Sequence, residues 1–202
     1  MFIIGITGGT GSGKTTALRA LKSLGALTLD CDALYHEILA DDENLKSELG
    51  NRYDGVLHDG AIDRKRLGEI VFADPMALLD LNKITHKYIS EVIATRIAEW
   101  ESQGGKVVAI DAIALIESGR SKKCDVVVGI TAPKDIRVSR IMARDGITQE
   151  QAEMRINAQK PDSYYRDNCD YVLEAIYARP DEFKKICKEF FATLIGGHVN
   201  AK

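Results

Sequence analysis

The chain opens on an unbroken apolar run, Phe2-Ile3-Ile4, which reads as a buried strand. Ala17 to Leu24 follows with helical spacing, and Gly25 suits a helix C-cap. Ala26-Leu27-Thr28-Leu29 predicts a second strand, ending at Asp30-Cys31-Asp32. From Ala33 to Gly50 the pattern is helical, with Leu34, Ile38, Leu45 and Leu49 as inward positions. Tyr53 to Gly60 is a loop rich in Asp and Gly. Another helix opens at Ile62 and continues through Val71-Phe72, and Pro75 suits the first turn of the next. That next helix is predicted from Met76 to about Trp100, with Leu78, Leu81, Ile84, Tyr88, Val92 and Ile93 on its apolar side. So long a stretch without strands predicts an all-helical insertion over residues 33–103.

Beyond Gly104-Gly105, two β-branched runs, 106–111 and 125–130, predict buried strands. Helices are predicted from Asp135 to Arg144 and from Thr148 to Gln159, the second opening like a capping box with Thr148 and Gln151. Tyr171-Val172-Leu173 reads as a short last strand, and Pro180 starts a terminal helix through Phe183, Phe190, Phe191 and Leu194. Strands alternating with helices predict an α/β fold, with a five-stranded parallel sheet covered by helices on both faces. Right-handed crossovers bring all strand C-termini to one edge, where open α/β sheets bind ligands.

The first of those strand ends carries the sharpest chemistry. Gly8 to Thr15 matches G-x-x-x-x-G-K-[ST], and it lies between a predicted strand and a predicted helix. Loop glycines let backbone N–H groups approach a phosphate, and the following helix adds its positive dipole end. Gly9, Thr10, Gly11, Ser12, Gly13, Lys14, Thr15 and Thr16 are therefore the expected ATP-phosphate site. Lys14 would reach the β- and γ-phosphates, and the Thr15 hydroxyl would ligate Mg²⁺.

Composition narrows the setting. The 202 residues carry a net charge of −3, from 27 basic and 30 acidic side chains that are interspersed. That balance offers no electrostatic footprint for nucleic acid or an anionic membrane. The length suits one domain, residues 1–202, with an inserted subdomain. Cys31, Cys124, Cys169 and Cys187 form no C-x-x-C pair, and the first strand begins too early to leave room for a targeting segment. A cytoplasmic protein with reduced thiols is expected.

Two further constellations follow strands or lie beside them. A kinase needs a carboxylate to orient its attacking hydroxyl, and Asp30 and Asp32 stand just after the second strand. Their spacing points them to opposite sides, so one faces the crevice while the other can cap the next helix. Arg140 and Arg144 are i and i+4 on one helix that also carries Arg137. Spacing alone leaves open a phosphate-neutralising pair or a solvated basic face. Asp145-Gly146 follows as a hinge. His36, His58, His86 and His198 are scattered, without metal-ligand partners at i+3 or i+4.

Taken in order, these segments resemble the dephospho-CoA kinase family. The glycine-rich string Gly5 to Thr15, Leu24-Gly25-Ala26 and Asp30-Cys31-Asp32 are similar to its P-loop, leucine-glycine and D-x-D signatures. Gly60-Ala61-Ile62-Asp63-Arg64 with Val71-Phe72, Ile84-Thr85-His86, Leu115-Ile116-Glu117, Arg140 with Arg144, and Ala158-Gln159 continue the match to about Val172. The resemblance implies transfer of the ATP γ-phosphate to the 3′-hydroxyl of dephospho-CoA, giving CoA. It implies a helical acceptor-binding insertion and a lid over residues 140–160. It also implies Asp32, Lys14 and Arg140 as catalytic residues and Arg144 near the nucleotide. Thr7, Asp32, Arg64, His86, Leu115 and Glu117 are placed on the acceptor side. The implied partners are small molecules, ATP and dephospho-CoA, and a monomer is expected.

The chain departs from the family at Ile113-Ala114, where a proline and a leucine are usual, and at Lys87, which follows His86 in place of proline. Ala175 stands where the family has an asparagine near the base, which predicts weakened donor choice. A GTPase switch is excluded: Asn82-Lys83-Ile84-Thr85 lacks the guanine-reading aspartate, and D-x-x-G is absent. A non-catalytic relative should have lost Lys14, Thr15 or Asp32, and all three are present. Another small-molecule kinase remains the rival reading.

Overall fold

In the computed structural model, residues 1–176 and 179–200 are described. Their contacts divide the chain into two units, residues 1–29 with 100–202, and residues 30–99.

The first unit holds the sheet. Its strands are β1 (Phe2–Thr7), β2 (Leu27–Asp30), β5 (Val107–Asp111), β6 (Val126–Thr131) and β7 (Tyr171–Glu174), in spatial order β2-β5-β1-β6-β7. The β1–β5, β1–β6 and β6–β7 pairs are parallel, with Ile6 beside Asp111 and Thr131 beside Glu174. The inner strands β1, β5 and β6 are buried along almost their whole length because both faces are covered, while the outer β2 and β7 carry polar and exposed positions. Ile4, Ile6, Val128 and Ile130 point to one face, where they pack with Ala17 and Leu21 of α1 (Lys14–Ser23) and Phe183 and Phe191 of α9 (Pro180–Asn200). Their alternate neighbours Gly5 and Gly129 turn to the other face. There a Cβ on Gly5 would come within 2.7 Å of Leu115, and one on Gly129 within 3.3 Å of Tyr165. Glycine at these positions lets the loop after β5 and the helix α8 (Asp162–Asn168) lie directly on the strands. Helices α6 (Lys134–Asp145) and α7 (Gln149–Asn157) pack on each other through Val138, Ile141, Ala152 and Ile156. The capping box at Thr148 and Gln151 forms with both of its hydrogen bonds.

The second unit comprises α2 (Cys31–Asp41), α3 (Glu43–Arg52), α4 (Arg64–Ala73) and most of α5 (Pro75–Ser102). Aspartates start the first three: Asp30, Asp42 and Asp63 accept from backbone N–H groups of the first turn. The predicted helix over 33–50 therefore breaks at Asp42. The insertion is also not all-helical: β3 (Leu57–His58) and β4 (Ala61–Ile62) form an antiparallel ribbon. Asp59 and Gly60 join them with φ values of 49° and 76°, both left-handed, as a two-residue hairpin demands. Tyr53 Oη donates to the Ala77 carbonyl at 2.8 Å and Tyr88 Oη to Glu48 at 2.8 Å, tying α3 to α5. Among the described residues, no helix is long and apolar enough to cross a membrane.

Candidate active site

The loop between β1 and α1 is shaped by positive φ at Gly8 (143°), Gly11 (77°) and Gly13 (111°). A Cβ on Gly8 would meet the Ile130 carbonyl at 2.1 Å, so the backbone passes where no side chain fits. Among the described residues no side chain caps α1, and its first turn carries no acidic residue. A helix start left in that state favours an anion. The Ser12 hydroxyl is buried in the loop with no hydrogen-bond partner among the described residues. Lys14 folds its ammonium onto the Gly8 and Gly9 carbonyls, at 2.8 and 3.4 Å. Thr15, exposed at the second helical position, presents the hydroxyl expected for Mg²⁺. Among the described residues there is no cluster of three or more His, Cys, Asp or Glu able to hold a metal. A Mg²⁺ ion that keeps its waters and rides on nucleotide phosphates needs only one or two protein groups, so this donor set fits it.

Two arginines of α6 grip the loop from outside. Arg140 donates to the carbonyls of Gly11 and Ser12 at 3.1 and 3.3 Å, and to the Ala175 carbonyl at 3.1 Å. Burial lowers its pKa from the ordinary arginine value, yet it stays charged at any physiological pH. Trans peptide geometry turns the Gly13 N–H away from a Ser12 carbonyl held in this way. Arg140 thus lies on the loop, through carbonyls of Gly11 and Ser12. Arg137 donates to the Thr10 carbonyl at 2.9 Å and is itself nearly inaccessible. Arg144 is not brought to the loop; Asp145 holds it through two bonds, at 2.7 and 3.0 Å.

Two of the residues expected on the acceptor side are buried in this structure. Thr7 is wholly buried and donates its hydroxyl to the Ile113 carbonyl at 3.1 Å, so it braces the loop after β5. The Leu115 side chain is also wholly buried, against Gly5, and faces the sheet. Glu117 remains exposed, with the Tyr164 hydroxyl hydrogen-bonded to it. Beside the same carboxylate, Tyr165 is pushed up to about 12, first by burial and then by that charge. Burial likewise raises Cys124 and Cys169 to about 11 and Cys187 to about 12, which makes them unreactive thiols.

In the second unit, Asp30 is the capping residue: its carboxylate accepts from the N–H groups of Asp32 and Ala33, at 2.9 and 3.1 Å. Asp32 is exposed in the first turn of α2, two residues past the end of β2. Arg64 opens α4 and lines a cavity of about 310 Å³ with His36 and Lys46. His86 is half-buried on α5.

Sequence reasoning gave no role to three residues of this region. Asp111 is buried at the C-terminal end of β5, beside the strand that enters the loop. Its signal was a carboxylate closing a wholly apolar run. Arg137 showed only helical spacing and Gln159 only its place in the Ala158-Gln159 match, and neither reveals what covers a polar face. Ala175 also reads differently in three dimensions. It is fully buried, its N–H donates to the Thr131 carbonyl at 2.8 Å, and its carbonyl takes Arg140. A Gly13 Cβ would lie 3.3 Å from the Ala175 methyl, so this side chain packs in the core beneath the loop. Ala175→Asn is therefore expected to cost about 1–3 kcal/mol through overpacking, without sharpening the choice between ATP and GTP. Thermal unfolding and paired kcat/KM values would check both halves.

The model of the dephospho-CoA kinase family matches residues 2–177. A dephospho-CoA kinase of Dehalococcoides mccartyi is 42% identical over 165 residues, spanning 81% of this chain and 83% of that protein. One from Geobacter sulfurreducens is 37% identical over 95% of this chain and 98% of its own length. Among solved structures, dephospho-CoA kinase from Campylobacter jejuni superposes with a TM-score of 0.70 at 26% identity, covering 97% of this chain and 98% of that one.

Proposed function

The chain belongs to the dephospho-CoA kinase family, and on that footing we propose how its own residues carry the family's reaction. The protein is an ATP-dependent kinase that moves the γ-phosphoryl group of ATP to the 3′-hydroxyl of dephospho-CoA, giving CoA in the last step of coenzyme A biosynthesis. The observation that carries the reading is the glycine loop, with its uncapped helix start and inward-folded Lys14. The loop amides hold the phosphates, and Lys14 leaves the Gly8 and Gly9 carbonyls for the β- and γ-oxygens. Thr15 would hold Mg²⁺, which would supply neutralisation of phosphate charge. Asp32 orients the 3′-hydroxyl and takes its proton as the new O–P bond forms and ADP departs. Arg64, His86 and Glu117 serve the acceptor. Arg144 would have to leave Asp145 to reach the nucleotide. The working form is a cytoplasmic monomer acting on small molecules.

Arg140 braces the loop and adds positive charge beside it. Arg140→Ala is expected to lower kcat by roughly 10²-fold while leaving the KM for dephospho-CoA nearly unchanged. Steady-state kinetics with each substrate varied would show this, and an unchanged kcat would return Arg140 to a purely structural role. The reading as a whole is tested by ADP release with dephospho-CoA, adenosine, other nucleosides and pantetheine phosphates as acceptors. Preference for any acceptor other than dephospho-CoA would favour the rival small-molecule kinase.

A further inference from the structure

The tip of the phosphate loop is held by side chains that the loop motif does not contain. Gln159 Oε1 accepts from the Thr10 N–H at 2.9 Å, and its Nε2 donates to Thr10 Oγ1 at 2.7 Å. The same Oε1 accepts from Arg137 at 2.8 Å. Arg137 in turn donates through Nε to the Thr10 carbonyl at 2.9 Å and faces Asp162 of α8 at 3.6 Å. Thr10 therefore has its N–H, its carbonyl and its hydroxyl all fixed by two side chains from beyond the loop. The Arg137 side chain is only 5% exposed, so its charge is committed to these partners.

We infer that Arg137 and Gln159 are positioning residues for the nucleotide, clamping Thr10 so that the loop stands in its phosphate-binding shape before ATP arrives. The trans peptide between Thr10 and Gly11 makes the consequence definite. With the Thr10 carbonyl held by Arg137, the Gly11 N–H points away from Arg137. A loop without the clamp must order that peptide at the moment of binding, and affinity falls by the fraction of molecules in which it is already ordered. The clamp also explains a glycine that the phosphate motif leaves free. A Cβ on Gly9 would lie 2.2 Å from an Arg137 guanidinium nitrogen and 2.9 Å from Gln159 Oε1. Gly9 is thus glycine because the clamp occupies the space of a side chain.

The inference rests on the kinase reading, and its test is nucleotide binding without any acceptor. Equilibrium binding of a fluorescent ADP analogue to folded protein is measured for wild type, Gln159→Leu, Gln159→Glu and Gly9→Ala, together with steady-state KM values. Gln159→Leu leaves half-buried Thr10 and buried Arg137 donors unsatisfied and is expected to weaken nucleotide binding about tenfold or more, with the dephospho-CoA KM changed by less than about twofold. Gln159→Glu keeps an acceptor for both donors, and is expected to recover most of that loss. Gly9→Ala pushes on the same guanidinium, so the Gly9→Ala/Gln159→Leu double variant should bind no worse than the weaker single one. Nucleotide affinity unchanged in Gln159→Leu overturns the clamp, whatever happens to melting temperature. So does a parallel rise in both substrate KM values, which marks general loosening. Wild-type protein that binds no ADP analogue overturns the kinase reading, and the clamp with it.

Discussion

Lys14→Ala is expected to leave a folded protein that has lost nearly all phosphoryl transfer, with kcat down by roughly 10²–10³-fold or more. The fold should survive because α1 is anchored elsewhere: Ala17, Ala20 and Leu21 are fully buried against the sheet and α9. The Lys14 ammonium lies on the loop carbonyls of Gly8 and Gly9. Phosphoryl transfer leaves little covalent work for a protein, so positioning and charge neutralisation supply most of the acceleration. A missing ammonium removes both. Arg140 cannot stand in, since its guanidinium is drawn to the outer carbonyls of Gly11 and Ser12. Circular dichroism and single-turnover kinetics on the same preparation would separate a lost fold from lost chemistry. A folded Lys14→Ala protein with kcat near wild type would sink the phosphate-loop mechanism.

The loop itself was legible in the sequence because its requirements are local. Left-handed φ at Gly8, Gly11 and Gly13 demands glycine, and the flanking periodicity names a strand and a helix. The parallel strands were legible for a similar reason, as β-branched runs with both faces covered. What stayed hidden depended on partners distant in sequence. Arg137 has the spacing of a surface residue, but Thr10, 127 positions earlier, covers it. Thr7 and Leu115 belong to family segments associated with the acceptor, yet each faces the packed side of its own segment. The β3–β4 ribbon escaped notice because each strand has only two residues, although Asp59-Gly60 is a strong hairpin signal. Helix α8 escaped because seven mostly polar residues carry no periodicity to read.

Asp32→Asn should lower kcat by roughly 10²-fold or more while leaving nucleotide affinity nearly unchanged. The two aspartates at the start of α2 were indistinguishable by spacing, and the capping role of Asp30 now sets it apart. Asp30 directs its carboxylate to the backbone of Asp32 and Ala33, which satisfies helix-start amides. A carboxylate held in that way already has its acceptor oxygen engaged by the backbone. Asp32 lies exposed in the first helical turn, where a negative charge is favoured by the helix dipole. Asparagine keeps the shape of either residue and removes the charge. At position 30 it still caps the helix, at a cost of only a few tenths of a kcal/mol, so Asp30→Asn should retain most activity. At position 32 it cannot accept the proton of the 3′-hydroxyl, so the chemical step slows after both substrates have bound. The decisive comparison is kcat for Asp32→Asn and Asp30→Asn at saturating ATP and dephospho-CoA, with nucleotide affinity measured alongside. Greater damage from Asp30→Asn would reverse the assignment within the pair. Equal and small effects from both would move the proton acceptor to another residue, and buried Asp111 would be the next to substitute.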